Sequence, residues 1–226
     1  TVLQLVIEDM PFLVDSLRLE LERMGIAPQW MVYTGGLQLH SDSQGHSRVT
    51  AYGQEPESRL VSPILLEIPL QRNQEKVDNI ELKLKQVLRD VRMSYQDWPL
   101  MCEAMRNSIK EVSECSVVPA VESQETMAYL EWLLDDHFTF LGMRDYRVVG
   151  EGDKAGMQLI SGSSLGVLAD ENKSKRIRYF SDLPVRARRV IFTNKRYLVL
   201  SKTNTLSSVH RHSYTDYLGV KRFDAS

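Results

Sequence analysis

The chain has 226 residues, 42% of them hydrophobic and 26% charged, with a formal net charge of −2. That balance is ordinary for a globular protein of one or two domains and excludes a disordered chain. It gives no global electrostatic reason to expect a nucleic acid or a membrane as partner, and no apolar run approaches the roughly 20 residues that cross a bilayer.

Val2-Leu3-Gln4-Leu5-Val6-Ile7 opens the chain as a nearly continuous apolar strand, a pattern that suits a strand covered on both faces. Asp9 is placed to cap the helix that follows, with Pro11 in its first turn. Met10, Leu13, Val14, Leu17, Leu21 and Met24 fall on one arc of that helix, and Gly25 ends it as a C′ glycine. A second strand covers about 29–33 and resumes at 37–40 after Gly35-Gly36. Residues 41–59, rich in Ser, Gly and Glu, read as an exposed loop.

Ile64 to Ile68 is a third strand, and from about Asn73 a long helix puts Val77, Ile80, Leu84, Val87, Leu88, Val91 and Tyr95 on one face. The first hundred residues are therefore β-α-β-β-α, most of a ferredoxin-like half: a small antiparallel sheet with two helices on one face. Asp97-Trp98-Pro99 is expected to break the helix and start another, which Pro119 ends. Ser123 then caps a short helix to about Asp136. The rest is strand-rich: residues 138–149, then 157–160, then a hairpin pairing 190–192 with 197–200 around Asn194-Lys195.

The search for chemistry yields little. No G-x-G-x-x-G follows a strand and no phosphate loop is present; the glycine run Ser161 to Gly166 lacks a lysine partner and a helix start. His210 and His212 would share one face of a strand, with Asp216 near, but too few ligand types surround them for a metal, so surface or interface residues are the plainer reading. Asp135-Asp136-His137 falls at a helix end, where a histidine complements the dipole. Residues 173–189 hold seven Lys or Arg, with Tyr179 and Phe180 interleaved, a pattern that also suits single-stranded nucleic acid. Cys102 and Cys115 read as packing residues of a reduced cytoplasmic protein. Thr1 is no initiator, and the chain stops just after the apolar Tyr217 to Val220, so both ends read as cuts in a longer polypeptide.

Two stretches are more specific. Glu8-Asp9-Met10-Pro11-Phe12-Leu13-Val14-Asp15-Ser16 joins the first strand to the first helix. Val118 to Ser123 leads through Leu130-Glu131-Trp132-Leu133 to His137-Phe138-Thr139-Phe140-Leu141-Gly142. With Ser201-Lys202-Thr203-Asn204, Ser208-Val209-His210-Arg211 and Asp216 to Phe223, they resemble the N-terminal region of the large bacterial NAD-dependent glutamate dehydrogenases, in order and over nearly the whole chain.

The resemblance implies a non-catalytic piece. In that family the dehydrogenase domains, which oxidatively deaminate glutamate to 2-oxoglutarate with NAD, lie downstream of ACT-like and PAS-like modules, and the enzymes are homo-oligomers. No catalytic residue, metal ligand or cofactor site carries over; NAD belongs to the parent enzyme. The implied organisation is α+β: an ACT-like domain at 1–96, a helical connector at 97–119, and a second α+β module, PAS-like or otherwise, at 120–226. The implied partners are the rest of the parent polypeptide and sister subunits. ACT modules commonly bind an amino-acid effector where the first strand meets the first helix, since backbone N–H groups at a helix start favour a carboxylate. The matching positions are Asp9, Met10, Pro11 and Phe12. The typical ACT turn carries Gly after Pro, whereas Phe12 stands here, and no fourth strand follows the long helix. Regulation, pure assembly and nucleic-acid binding through 173–189 are the functions left to weigh, in that order.

Overall fold

The computed structural model describes residues 1–50, 58–170, 177–192 and 196–223, without the side chains of Asp153 and Arg186. The chain divides into two units, Thr1–Arg92 with Ser207–His212, and Met93–Leu206 with Ser213–Ser226.

In the first unit, β1 (Val2–Glu8) pairs antiparallel with β5 (Arg59–Glu67). On the other side of β5 lie β2 (Trp30–Tyr33) and β3 (Leu37–Ser41). These are the two halves of one strand of the expected motif, parted at Gly35, whose φ of 74° is the left-handed region open to glycine. The α+β class and the ACT-type β-α-β-β-α order are as expected. The period of two decides the buried face: Ser62, Ile64 and Leu66 of β5 are buried, and Leu3, Leu5 and Ile7 stand opposite them on β1. The other face is not covered. Val2 is 54% exposed, Val6 71% and Trp30 65%, against the expectation that both faces of the first strand are enclosed.

The stretch expected as a loop at 41–59 contains a further strand, β4 (Ser47–Thr50), paired with β3. Its alternation is too polar to signal a strand, and the turn makes it. Main-chain N–H groups of Gln44 and His46 donate to Asp42 at 2.9 Å each, and the His46 N–H chiefly holds the Asp42 carboxyl below its usual range. Residues 51–57 lie outside the described residues.

Helix α1 (Leu13–Arg23) ends as expected, with Gly25 at φ 71° donating to the Glu22 carbonyl and Ile26 to that of Leu21. Its start differs: the residue before the helix is Phe12, and Asp9 does not cap it. Leu19, off the expected arc, is nonetheless buried, while Leu82 on the next helix stays 54% exposed.

Helix α2 runs unbroken from Gln74 to Glu114, with Asn73 accepting the Lys76 N–H at its start. The expected break at Asp97-Trp98-Pro99 is absent. A proline inside a helix costs about 3 kcal/mol. The apolar stripe Ile80, Leu84, Val87 and Val91 resumes beyond it at Met101, Met105 and Val112, all buried. At roughly 1.5–3 kcal/mol for each buried side chain, continuation outweighs the proline. Asp97 is also engaged, accepting the Gly166 N–H at 2.7 Å.

The second unit is α+β, as expected. Helix α3 (Ala120–Trp132) starts after Pro119, so Ser123 lies inside its first turn rather than capping it. Met105, Leu130 and Leu133 are buried with Phe138, Phe140, Leu198 and Leu218 against them, and Val112, Val118 and Tyr197 form a second cluster. The expected strand over 138–149 shortens to β6 (Gly142–Met143) and β7 (Tyr146–Val149), because Phe138 and Phe140 are spent on the core.

The described strands of this unit make three small antiparallel sheets. In them β6 pairs with β9 (Leu165–Gly166), β8 (Gly156–Leu159) lies between β7 and β10 (Arg178–Tyr179), and β11 (Leu198–Leu206) pairs with β12 (Tyr214–Val220). Val190-Ile191-Phe192 is not the strand expected before 197–200 but the end of α4 (Val185–Phe192). A short apolar run cannot be told from a helix end by periodicity, and the arginines before it are good helix formers. Asn194-Lys195 lie outside the described residues. Both cysteines are free; Cys102 is packed in the core, while Cys115 is half-buried. Among the described residues no helix is long and apolar enough to cross a membrane.

Candidate functional site

The turn between β1 and α1 is built from both of its ends. The Asp9 N–H donates to the Leu60 carbonyl at 2.9 Å, continuing the β1–β5 ladder by one residue. Its carboxylate points away from the helix: Oδ1 accepts from the Tyr33 hydroxyl at 3.1 Å and from the Ser62 hydroxyl. Gly36 leaves room for this carboxylate, since a Cβ there would come within 2.9 Å of Asp9 Oδ2. Met10 is buried and Pro11 exposed.

Phe12 then takes φ 69°, ψ 3°, a left-handed conformation that a residue other than glycine adopts at a cost of about 1–2 kcal/mol. Among the described residues no side chain caps the helix by a hydrogen bond; Asp15 stands in its first turn, where a carboxylate complements the partial positive charge of the N–H groups.

The ring of Phe12 lies 4.4 Å from that of His210, centroid to centroid, at 45°. His210 comes from Ser207–His212, which belongs to this unit although β11 and β12 on either side of it belong to the other. The segment is firmly held. Val209 is 1% exposed. The His210 N–H donates to Ser16 Oγ at 3.1 Å, Arg23 Nη2 donates to the Ser207 carbonyl at 2.7 Å, and Ser208 Oγ donates to Asp90 Oδ2 at 2.7 Å. His210 is itself left-handed, at φ 71°. Two strained residues facing each other need an enclosure that over-determines them, and this network supplies it.

Of the expected site residues, Phe12 meets this network through its ring contact with His210, while Asp9 is engaged with Tyr33 and Ser62 on the sheet side. The sequence offered His210 and His212 as a pair on one strand face. They lie instead in a loop, His210 against Phe12 and His212 exposed, and no group of three or more potential metal ligands occurs among the described residues. His137 stacks on Trp132 at 4.5 Å with Nδ1 3.0 Å from the Trp132 carbonyl, a packing role. Of the basic stretch, Arg178 lies on β10 and Arg188 and Arg189 on α4; Lys173, Lys175 and Arg176 are outside the described residues. Gly166, in the glycine run, has its N–H committed to a carboxylate, the reverse of a phosphate cradle. Sequence reasoning does not single out Ser16, which lies beside the apolar arc of α1; the structure buries it fully, and a buried hydroxyl must find a partner.

Residues 1–84 match the family model for the glutamate dehydrogenase ACT1 domain. The match covers most of the first unit. The resemblance of the whole chain is borne out as well. The NAD-specific glutamate dehydrogenase of Halomonas elongata is 31% identical over 222 residues, 96% of this chain. That of Pseudomonas aeruginosa is 30% identical over 230 aligned positions, covering 99% of it. The chain spans 14% of the length of each of these relatives. The ACT1 match ends inside α2, so the rest of that helix and the second unit rest on the relatives alone.

Proposed function

We propose that this chain is a non-catalytic assembly region of a cytoplasmic NAD-dependent glutamate dehydrogenase. The parent reaction is the oxidative deamination of L-glutamate to 2-oxoglutarate and ammonia, with NAD bound in a part of the parent outside this chain. The observation that carries the reading is the filled β1–α1 turn. Where an ACT effector would approach the helix start, the ACT1 domain holds Phe12 and its own His210, so the turn serves to fasten the chain to itself. The apolar side chains in solvent on one face of the ACT1 sheet support it, because such patches mark surfaces that meet other protein. The partners are then the remainder of the parent polypeptide and sister subunits.

Effector regulation is the second reading, favoured by the uncapped first turn of α1. An amino acid bound at Asp9, Met10, Pro11 and Phe12 would have to displace His210 to present its carboxylate there. Deleting this region from the parent separates the readings. An assembly role leaves glutamate-dependent NADH formation per folded subunit intact and changes the oligomeric state. Unchanged oligomeric state, with a lost response to an amino acid, would sink the assembly reading and support the second.

A further inference from the structure

Strand register decides which residues stand on the open face of the five-stranded sheet. Ser62, Ile64 and Leu66 of β5 point to the buried face, so Arg59, Val61, Pro63, Leu65 and Glu67 alternate onto the open one. Val2 and Val6 of β1 stand there opposite Glu67 and Pro63. On the other side of β5, Trp30 and Val32 stand opposite Glu67 and Leu65, and Leu37 and Leu39 opposite Val61 and Arg59. Along β5 the open face therefore carries a cation, an apolar run and a carboxylate, with Pro63 at the midpoint. We propose that this face is a twofold interface with a second copy of the chain. The two sheets pack face to face across an axis that passes over Pro63 and Val6, perpendicular to the strands.

The layout is self-complementary, as a twofold interface requires. Turning the second copy about that axis reverses its strands, so the two ends of β5 exchange. Arg59 of each copy then meets the partner's Glu67, and Val61 meets the partner's Leu65. Trp30 and Val32 come over the partner's Leu39 and Leu37, and Val6 packs on the partner's Val6. Both charges are available for this pairing: Arg59 and Glu67 are exposed, and neither side chain has an ion pair or hydrogen bond among the described residues. An axis running along the strands would instead set Glu67 against Glu67 and Arg59 against Arg59, a like-charge arrangement that interfaces avoid.

The apolar residues give the face its reason to be covered. Val6 and Trp30 project into solvent, and Val49 of β4, opposite Leu39 on the same face, is 63% exposed. At about 3.3 Å per residue and about 4.8 Å between strands, a face about seven residues by four strands covers roughly 450 Å² in projection. An apolar patch of that size marks a surface that meets other protein. Two such faces bury roughly 900 Å² before the relief of the side chains is counted, the low end for a specific interface. Aligned sheets pack about 10 Å apart with their strands within about 30°, which leaves Arg59 in reach of the partner's Glu67. The interface rests on the assembly role proposed for the chain and gives that role its surface.

The test is sedimentation velocity of the 226-residue chain from about 1 to about 200 μM, a range that spans weak and moderate dimers. The chain should pass from monomer to dimer within it. Val6→Glu sets two carboxylates against each other on the axis and should weaken the dimer at least about tenfold. Because Val6 is exposed, the monomer's melting temperature should stay within a few degrees. Arg59→Glu and Glu67→Arg, made singly, each confront like charges and should weaken the dimer several-fold. Combined in one chain they restore opposite charges and should recover most of the loss. A chain still monomeric at the highest concentration, a dimer indifferent to Val6→Glu, or a double variant no tighter than the single ones overturns the proposal. The assembly role fails separately, in the deletion from the parent: an oligomer lost on deletion while this chain stays monomeric keeps that role and discards this surface.

Discussion

Truncating Phe12 tests the turn most sharply, because glycine and alanine there should behave differently. The ring is half-buried, so its removal forfeits about 1–1.5 kcal/mol of the roughly 1.5–3 kcal/mol that full burial of a phenylalanine contributes. Contact with the His210 ring adds about 0.5–1.5 kcal/mol. Phe12→Ala loses both and keeps the left-handed strain, for a net destabilisation of about 2 kcal/mol. Phe12→Gly loses the same ring but relieves about 1–2 kcal/mol of strain, less about 0.5–1 kcal/mol for the flexibility of glycine in the unfolded chain. It should therefore be more stable than the alanine variant by about 0.5–1 kcal/mol. Equilibrium urea unfolding of the three proteins reads these differences as midpoint changes at constant slope. A cycle with His210→Ala should give a coupling near 1 kcal/mol. A glycine variant no more stable than the alanine one, or a coupling within about 0.3 kcal/mol of zero, would refute the strained, paired turn.

Pro99→Ala should stabilise the chain, by up to about 3 kcal/mol, since it restores a main-chain hydrogen bond in the middle of α2; a loss of stability on thermal unfolding would show that the helix is not continuous there. Gly166→Ala should cost more than about 2 kcal/mol, or abolish soluble expression, because φ is 61° and a Cβ would sit on the Leu141 carbonyl. The β3–β4 turn should loosen in acid. Main-chain hydrogen bonds, that of His46 first, lower the folded pKa of Asp42 below its unfolded value. Its contribution is therefore present above the unfolded pKa and lost as the pH falls through the folded one. The Gln44 and His46 amide resonances should move with that titration, and Asp42→Asn should remove the pH dependence.

The sheet, the two helices and the Gly25 stop were legible because each is a local pattern: alternation, a 3.6-residue stripe, a glycine at a helix end. The errors share a cause. Pro99 and Asp97 looked like a break because their penalties are local, while the burial that overrides them, at Met101, Met105 and Val112, and the Gly166 partner of Asp97 come from distant chain. Asp9 looked like a cap because it precedes a helix; its actual partners, Tyr33 and Ser62, are 24 and 53 residues away. The strand β4 was hidden by polar side chains and made by a turn. At the candidate site, Phe12 was recognisable as a departure from glycine. What fills the space beside it was not, because His210 lies some two hundred residues on and its one local signal, a pair with His212, suggested a different chemistry.

Fastening of the β1–α1 turn by the chain's own Ser207–His212 segment is tested most directly by native-state hydrogen exchange at the His210 amide. That N–H donates to the fully buried Ser16 hydroxyl. It should exchange far more slowly than an open chain, and Ser16→Ala should release it while the α2 amides keep their protection. A His210 amide that exchanges freely in the unaltered chain would contradict the account.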